Sequence, residues 1–426
     1  MAPIRLGVPT VYALAVFALA GCHREAPTET GPLPQRGYLW QRDWTPAVTQ
    51  AFLEADKHTD GTVVLGAEIV WEGKTARVIR ATIAWEALAK AQKPCALALR
   101  IAPYPGPFVP DDTPARAISE TVKSLLEEAR AHKIALSEFQ IDFDCAEKKL
   151  AGYRAWLRML APVVHPTRLV ITTLPSWLDE TEFPPLVREA DGYVLQVHSV
   201  PTQKESGQAS LCDPMLARKW ADAASRLGMP FSVALPTYRC LAGYGPSGKL
   251  LGVAMDSVDP SWPPGTHVLD FATNADEVAG LVQEWRTARP AGLRELLWYR
   301  LPVGTDARNW RWPTLAAVME GRKPVHRMEV VIDETNPVDL AIINTGEAEE
   351  QPDFNVIVRW TGSHLVASDA LPGWTVSPEK EMATFTPTPR YRTSLSPGEK
   401  LSLGWLRFDK ATALRTEIIA HEKIPH

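Results

Sequence analysis

The chain has 426 residues, 45 Lys and Arg against 50 Asp and Glu, and a formal net charge of -5. Its basic residues are scattered rather than clustered, which argues against nucleic acid as a partner. The length exceeds one ordinary domain, so two are expected. The 15 tryptophans are also many for it, and exposed indoles offer sugar rings a flat apolar face.

Residues 1–21 read as a signal peptide. Arg5 supplies the positive start, residues 6–20 the apolar core, and Leu19-Ala20-Gly21-Cys22 the small-residue cleavage site. That tetrapeptide resembles the lipobox of bacterial lipoproteins, which implies lipidation of Cys22 and a membrane partner through the lipid. An apolar run of about fifteen residues is short for a membrane span. Residues 22–36, with Pro27, Pro32 and Pro34, read as a tether. The expected address is the bacterial cell envelope. His23 in place of the aspartate associated with inner-membrane retention favours the outer membrane, facing the periplasm. In an oxidising compartment Cys95, Cys145, Cys212 and Cys240 allow three pairings. Cys145 with Cys212 is the favoured disulfide, because both follow strand ends on the same expected rim. Their spacings match no zinc pattern, and neither a metal nor a cofactor is expected.

In chain order, a first strand is expected over residues 37–44 and a helix over 45–55. A strand over 62–70 carries Glu68 near its end, and the segment 76–83 either pairs with it or leads on. The run Cys95-Ala-Leu-Ala-Leu-Arg-Ile101 is apolar except for Arg100, a charge out of character for a strand buried on both faces. Thr113 as cap and Pro114 start a helix whose apolar stripe is Ile118, Val122, Leu125, Leu126 and Ala129.

The strand Phe139-Gln140-Ile141-Asp142-Phe143-Asp144-Cys145 follows. Its period of two places Gln140, Asp142 and Asp144 on one face. A helix with Leu150, Tyr153, Leu157 and Leu160, then a strand over 168–175, continue the alternation. After them come a short helix over 183–189, a strand over 192–199, and a helix capped by Asp213 that stops at Gly228. A strand over 231–236 precedes the Gly- and Pro-rich stretch 237–271, expected as a long loop or small hairpin insertion at one end of a barrel. A helix over 274–289, a strand over 295–301 and a helix over 312–320 close the series.

About eight strands mostly separated by helices define an α/β fold of the (β/α)8 TIM-like barrel type over residues 37–322. No Gly-rich phosphate turn follows the first strand, as a doubly wound open sheet would call for. Residues 323–426 show short alternating runs between Pro, Gly, Asn and Asp, the pattern of a small C-terminal antiparallel β-sandwich.

Ligands of such barrels bind at the carboxyl ends of the strands. The inward, upper positions there are expected to hold Trp40, Glu68, Arg100, Asp142, Asp144, Gln196, His198, Tyr238 and Trp298. Neighbouring carboxylates push one another's proton affinities apart, as glycoside hydrolysis needs. Asp142 and Asp144 are about 7 Å apart along the strand. Asp144 is therefore the expected acid or substrate-assisting group, Asp142 tunes it, and Glu68 is a second candidate carboxylate. Arg100, Gln196 and His198 would hold substrate, with Trp40, Tyr238 and Trp298 stacking on sugar rings.

Phe139 to Cys145, with Tyr193-Val-Leu-Gln-Val-His198, Leu211-Cys-Asp-Pro214 and Leu235-Pro-Thr-Tyr238, resembles a bacterial lipoprotein family known only as a domain of unknown function. The resemblance covers residues 37–321 and implies a glycosidase-like barrel. Ile141-Asp-Phe-Asp144 is also similar to the acidic strand of chitinase-type barrels, whose pattern places a catalytic Glu two positions after the last Asp. This chain has Ala146 there, and Glu147, one residue late, is expected to face elsewhere.

Three functions follow. The first is a lipid-anchored, glycoside-hydrolase-like protein acting on or binding an unidentified polysaccharide or envelope glycan. The second is a non-catalytic sugar-binding or envelope-assembly lipoprotein. The third is a metal-dependent hydrolase using Asp142, Asp144 and His198 as ligands.

Overall fold

The computed structural model describes residues 31–73, 75–200, 210–255, 260–333, 335–388 and 394–420. The expectations for the signal peptide and for Cys22 lie outside the described residues.

The first part of the chain runs β1 (Gln35–Leu39), α1 (Pro46–His58), β2 (Thr62–Glu72), β3 (Thr75–Arg80), α2 (Trp85–Leu88), β4 (Cys95–Ile101), α3 (Thr113–Ala131), β5 (Glu138–Phe143), α4 (Leu150–Val164), β6 (Arg168–Thr173), α5 (Phe183–Val187) and β7 (Gly192–Gln196). It continues through α6 (Pro214–Ser225), β8 (Phe231–Pro236), β9 (Arg239–Tyr244), β10 (Leu250–Ala254), β11 (His267–Ala272), α7 (Ala275–Thr287), β12 (Leu293–Tyr299) and α8 (Trp312–Met319). Strands β1, β2, β4, β5, β6, β7, β8 and β12 pair in parallel, and β12 closes back on β1. This closed eight-stranded ring is the expected barrel.

The two faces of each strand explain the closure. On β4, Leu97, Leu99 and Ile101 join the core beneath the helices, whereas Ala96 and Ala98 face the barrel interior with Tyr38, Val63, Val170, Val194, Ala234 and Leu297. Small inward residues leave room for the Tyr38 ring at the centre. Helix α3 lays Ile118, Val122, Leu125, Leu126 and Ala129 onto the sheet. Gly66 permits that approach, because a Cβ there would stand 2.9 Å from Leu125 Cδ2.

Two local expectations are corrected, and the alternative left open for 76–83 is decided in favour of pairing. The cap of α3 is Asp112, which accepts from Ala115 N at 3.0 Å, so Thr113 is already helical. The segment after β2 is β3, which pairs with it antiparallel. The insertion after β8 is a three-stranded antiparallel sheet in the order β10-β9-β11 rather than a loop or a hairpin.

The C-terminal part runs β13 (Met328–Ile332), β14 (Val338–Asn344), β15 (Phe354–Trp360), β16 (Leu365–Ala370), β17 (Trp374–Pro378), β18 (Met382–Pro387), β19 (Lys400–Phe408) and β20 (Leu414–Ala420). Two four-stranded antiparallel sheets, β13-β14-β19-β16 and β17-β18-β15-β20, enclose a core that includes Leu340, Ile342, Val356, Val358, Phe385 and Leu406. Polar contacts join it to the barrel side: Arg239 Nη1 to Glu349 Oε1 at 2.7 Å and Arg311 Nη2 to Glu399 Oε1 at 3.5 Å.

The expected Cys145–Cys212 disulfide is not formed, and Cys95, Cys145, Cys212 and Cys240 are all free and buried. Cys145 lies beyond β5, where its carbonyl accepts from Trp177 Nε1 at 3.1 Å. The segment of Cys212 is drawn toward the inserted sheet, because Leu211 N donates to Ala272 O.

Candidate functional site

A polar column climbs the inside of the barrel on β5. At the base, Arg36 Nη1 donates to Glu138 Oε1 at 2.9 Å and contacts Glu295 Oε1 at 3.3 Å. One layer up, Gln140 Nε2 donates to Glu138 Oε1 at 2.7 Å, and Tyr38 OH donates to Gln140 Oε1 at 2.8 Å. From Glu138 through Gln140 to Tyr38 each buried polar group satisfies the next, while Arg36 Nε and Nη2 have no hydrogen-bond partner among the described residues. Asp142 and Asp144 continue the same face toward the mouth.

The ladder register brings Glu68, Arg100 and Asp142 onto one rung across β2, β4 and β5. Glu68 is buried and occupied by guanidinium groups. Arg42 Nε donates to its Oε2 at 2.6 Å, and Arg100 Nη1 stands 3.5 Å from its Oε1. Glu68 therefore positions two arginines. The Arg100 guanidinium is raised above its ordinary proton affinity: burial pulls it down but is outweighed by Asp142, Tyr299, Glu68 and Asp144.

Asp142 is half-buried, and its Oδ1 accepts from Thr172 Oγ1 at 2.7 Å. Burial, followed by the neighbouring charge of Asp144, pushes its carboxyl up to about 6, against the opposing pull of Thr172 and Arg100. Asp144 reaches the surface at the rim. The crowding protein still raises its carboxyl, while Arg100 and a hydrogen bond from Gln196 draw it back. The two carboxylates thus form one interacting pair in which each disfavours ionisation of the other.

Two hollows open at this end of the barrel, and only the second is lined by a member of the pair. Trp40, Glu68 and Arg100 line one of about 610 Å³ with Arg42, Tyr299, Arg300 and Asp306. Asp144 lines the other, about 590 Å³, with Tyr104, Cys145, Glu147 and Trp177. Glu147, expected to face elsewhere, shares a hollow with Asp144.

The His198 ring stacks on Tyr299, with centroids 5.7 Å apart at 14°, and meets Tyr238 edge-on at 6.0 Å. Burial lowers its proton affinity to about 4, opposed by the Ala234 carbonyl, so it is a neutral imidazole at physiological pH. Tyr238 is buried behind it, packed with Cys240, Ala242 and Phe271. It stands behind the mouth and backs the His198 ring.

Trp298 does not reach the mouth. It is fully buried in the layer between barrel and helices, its Nε1 donating to Gln35 Oε1 at 3.0 Å. The inward face of β12 is Glu295, Leu297 and Tyr299, so the expected phase is one residue off and Tyr299 takes the place assigned to Trp298. A one-residue slip moves every side chain of a strand to its other face. The missed residues are Tyr299, Thr172 and Arg42. Glu295 was the available signal for the first, since an acid in that run marks the polar interior face.

Asp142, Asp144 and His198 do not form the ligand set weighed from sequence. Among the described residues no group of three or more His, Cys, Asp and Glu side chains is arranged to hold a metal ion.

Fold and site together define a closed (β/α)8 barrel with a carboxylate pair, arginines and aromatic rings at the carboxyl ends of its strands. Residues 110–304 match the family model described as a domain of unknown function (DUF3142), the family resemblance read from the motifs of β5, β7 and β8. This span holds Asp142, Asp144, Gln196, His198, Tyr238 and Tyr299, while Trp40, Glu68, Arg100 and the sandwich lie outside it.

No curated protein matches the chain. Among solved structures, the spore cortex-lytic enzyme SleL of Bacillus megaterium QM B1551 is similar at a TM-score of 0.48 and 12% identity, covering 69% of this chain and 75% of that one. A chitinase from Chromobacterium violaceum ATCC 12472 is similar at 0.47 and 14%, covering 68% and 98%. Chitinase ChiA74 from Bacillus thuringiensis is similar at 0.44 and 9%, covering 91% and 100%. The barrel assignment stands on the strand pairings above.

Proposed function

We propose that this chain is a glycoside-hydrolase-like protein that acts on an unidentified polysaccharide or envelope glycan at the mouth of its barrel. The observation that carries the reading is the Asp142–Asp144 pair, in which burial first and the neighbouring Asp144 charge second push the Asp142 carboxyl up to about 6, so that the pair holds a proton in mildly acidic solution. Asp144, on the rim, delivers that proton to the glycosidic oxygen as the bond to the anomeric carbon breaks. Water adds to that carbon and its released proton returns to the pair. Arg100 steadies the two carboxylates while both are charged. Trp40 and Tyr299 supply ring faces for the sugar.

A second reading, a sugar-binding or envelope-assembly protein without turnover, is favoured by Ala146, which stands where the chitinase-type pattern has its catalytic Glu. Under either reading we place the protein at the cell envelope, anchored through a lipid on Cys22 and facing the periplasm from the outer membrane.

The test is equilibrium binding of purified protein to a panel of envelope and matrix polysaccharides. The Asp144→Asn chain should keep the affinity of the natural one, and the Trp40→Ala chain should lose about tenfold, the equivalent of about 1.4 kcal/mol. Loss of affinity in neither variant, with binding persisting, would move the glycan site off the barrel mouth.

A further inference from the structure

The sandwich has three tryptophans in its described strands, and they are used differently. Trp360 and Trp374 belong to its core. Trp405 is half-buried and is absent both from that core and from the partly buried side chains packed on it. It therefore stands on the outer face of the sheet β13-β14-β19-β16.

A β-bulge puts it there. On β19, Leu403 and Leu406 both point into the core, three residues apart, so the alternation breaks between them. The register with β14 skips Leu403, pairing Leu340 with Gly404 and Ala341 with Ser402. Gly404, at φ +155°, is required at this point, since a Cβ there would stand 2.2 Å from Asp369 O. Bulges of this kind re-aim a side chain, and here the re-aimed one is the indole.

The ladder places Asp339 on one side of Trp405 and Asp369 on the other, both exposed. Beside the indole lies a hollow of about 540 Å³ whose lining includes Asp333, Asp339, Lys400 and Ser402. A flat apolar ring flanked by carboxylates and a hydroxyl suits a ring with an apolar C–H face and hydroxyl groups around its edge. Among the charged side chains that line the hollow, Asp333 and Asp339 outnumber Lys400, which disfavours a polyanion.

We propose that the Trp405 hollow is a second carbohydrate site, which holds an uncharged hexose polymer on the outer face of the sandwich. This deepens the proposed function, resting on it for the polymer that both sites would share. The sandwich site anchors the chain on the polymer while the barrel mouth acts on it.

The experiment titrates the full chain with hydroxyethyl cellulose, glycol chitin and polygalacturonate, following the Trp405 indole N–H resonance, assigned by its loss in Trp405→Phe. An uncharged polymer should move that resonance, and polygalacturonate should not. Trp405→Ala and Asp339→Asn should each weaken affinity for the same polymer about tenfold, and Trp405→Phe less. Turnover of a short soluble oligosaccharide should be unchanged in all three.

An indole resonance that none of the uncharged polymers moves, or that polygalacturonate moves equally, overturns the proposal without touching the barrel. Conversely, Trp405 shifts in an Asp144→Asn chain whose turnover equals that of the natural protein would overturn the barrel reading and leave this one standing.

Discussion

Thr172 Oγ1 donates a 2.7 Å hydrogen bond to Asp142 Oδ1, joining β6 to the acidic face of β5 just below the mouth. The bond favours the charged carboxylate and so restrains the upward push of burial and of Asp144. Replacing Thr172 by Val removes the donor and little volume. The Asp142 carboxyl midpoint, read by carbon NMR, should then climb above about 6. A midpoint that stays or falls would show that the hydrogen bond does not set it.

Asp142 also ties stability to pH. Its folded carboxyl holds a proton up to about 6, whereas an unfolded Asp releases it near 3.9. Between these values the native state binds more protons, so stability falls as pH rises through the window, with the full penalty above it. Asp142→Asn keeps an acceptor for Thr172 and lacks the penalty. Its melting temperature should gain on that of the natural chain as pH goes from about 4 to 6 and hold the gain above. A difference flat in pH would refute the assignment.

His198 acts with the opposite slope. Its folded value is about 4, against about 6.5 unfolded. The unfolded chain takes up the proton first, and stability drains away as pH falls through that interval. His198→Phe preserves the ring between Tyr238 and Tyr299 and cannot titrate. Thermal melts should show the variant gaining on the natural chain below about pH 6.5, with no such gain above it.

The phase of β12 separates two neighbours. Trp298→Ala opens a cavity in the core and should cost about 3–5 kcal/mol of stability in denaturant titration, while glycan affinity of the folded fraction is unchanged. Tyr299→Ala removes the stack on His198 and one wall of the larger hollow, so it should lower affinity about tenfold. The reverse pattern would restore the phase expected from sequence.

The four buried thiols give a chemical check. In the native protein they should resist alkylation, and after unfolding without reductant all four should react. A denatured chain that remains short of two thiols until reduced would contradict the free cysteines.

Much of the barrel was legible because buried parallel strands are continuous apolar runs with abrupt ends. The bounds of β4 and β8 agree residue for residue with the sequence reading. The acids of β5 were legible for the same reason, since charge in such a run has to face the interior column. β12 was not: Leu293 to Leu301 offers apolar side chains in both phases, and only the partners of Glu295 choose between them. The inserted sheet was hidden by Gly and Pro residues that read as loop, and the free cysteines by rim geometry that needs all the strands in place. Arg42 was invisible because a loop residue gains its role only from the Glu68 that it meets.

The central claim, glycan cleavage by the Asp142–Asp144 pair, is tested most directly by reducing-end release from envelope and matrix polysaccharides across pH. The account predicts release by the natural chain that rises toward mildly acidic pH, and a fall of about 10²–10⁴-fold in Asp144→Asn, the range for losing a positioned acid. Release undiminished in Asp144→Asn, or none from the natural chain on any polymer it binds, would contradict it.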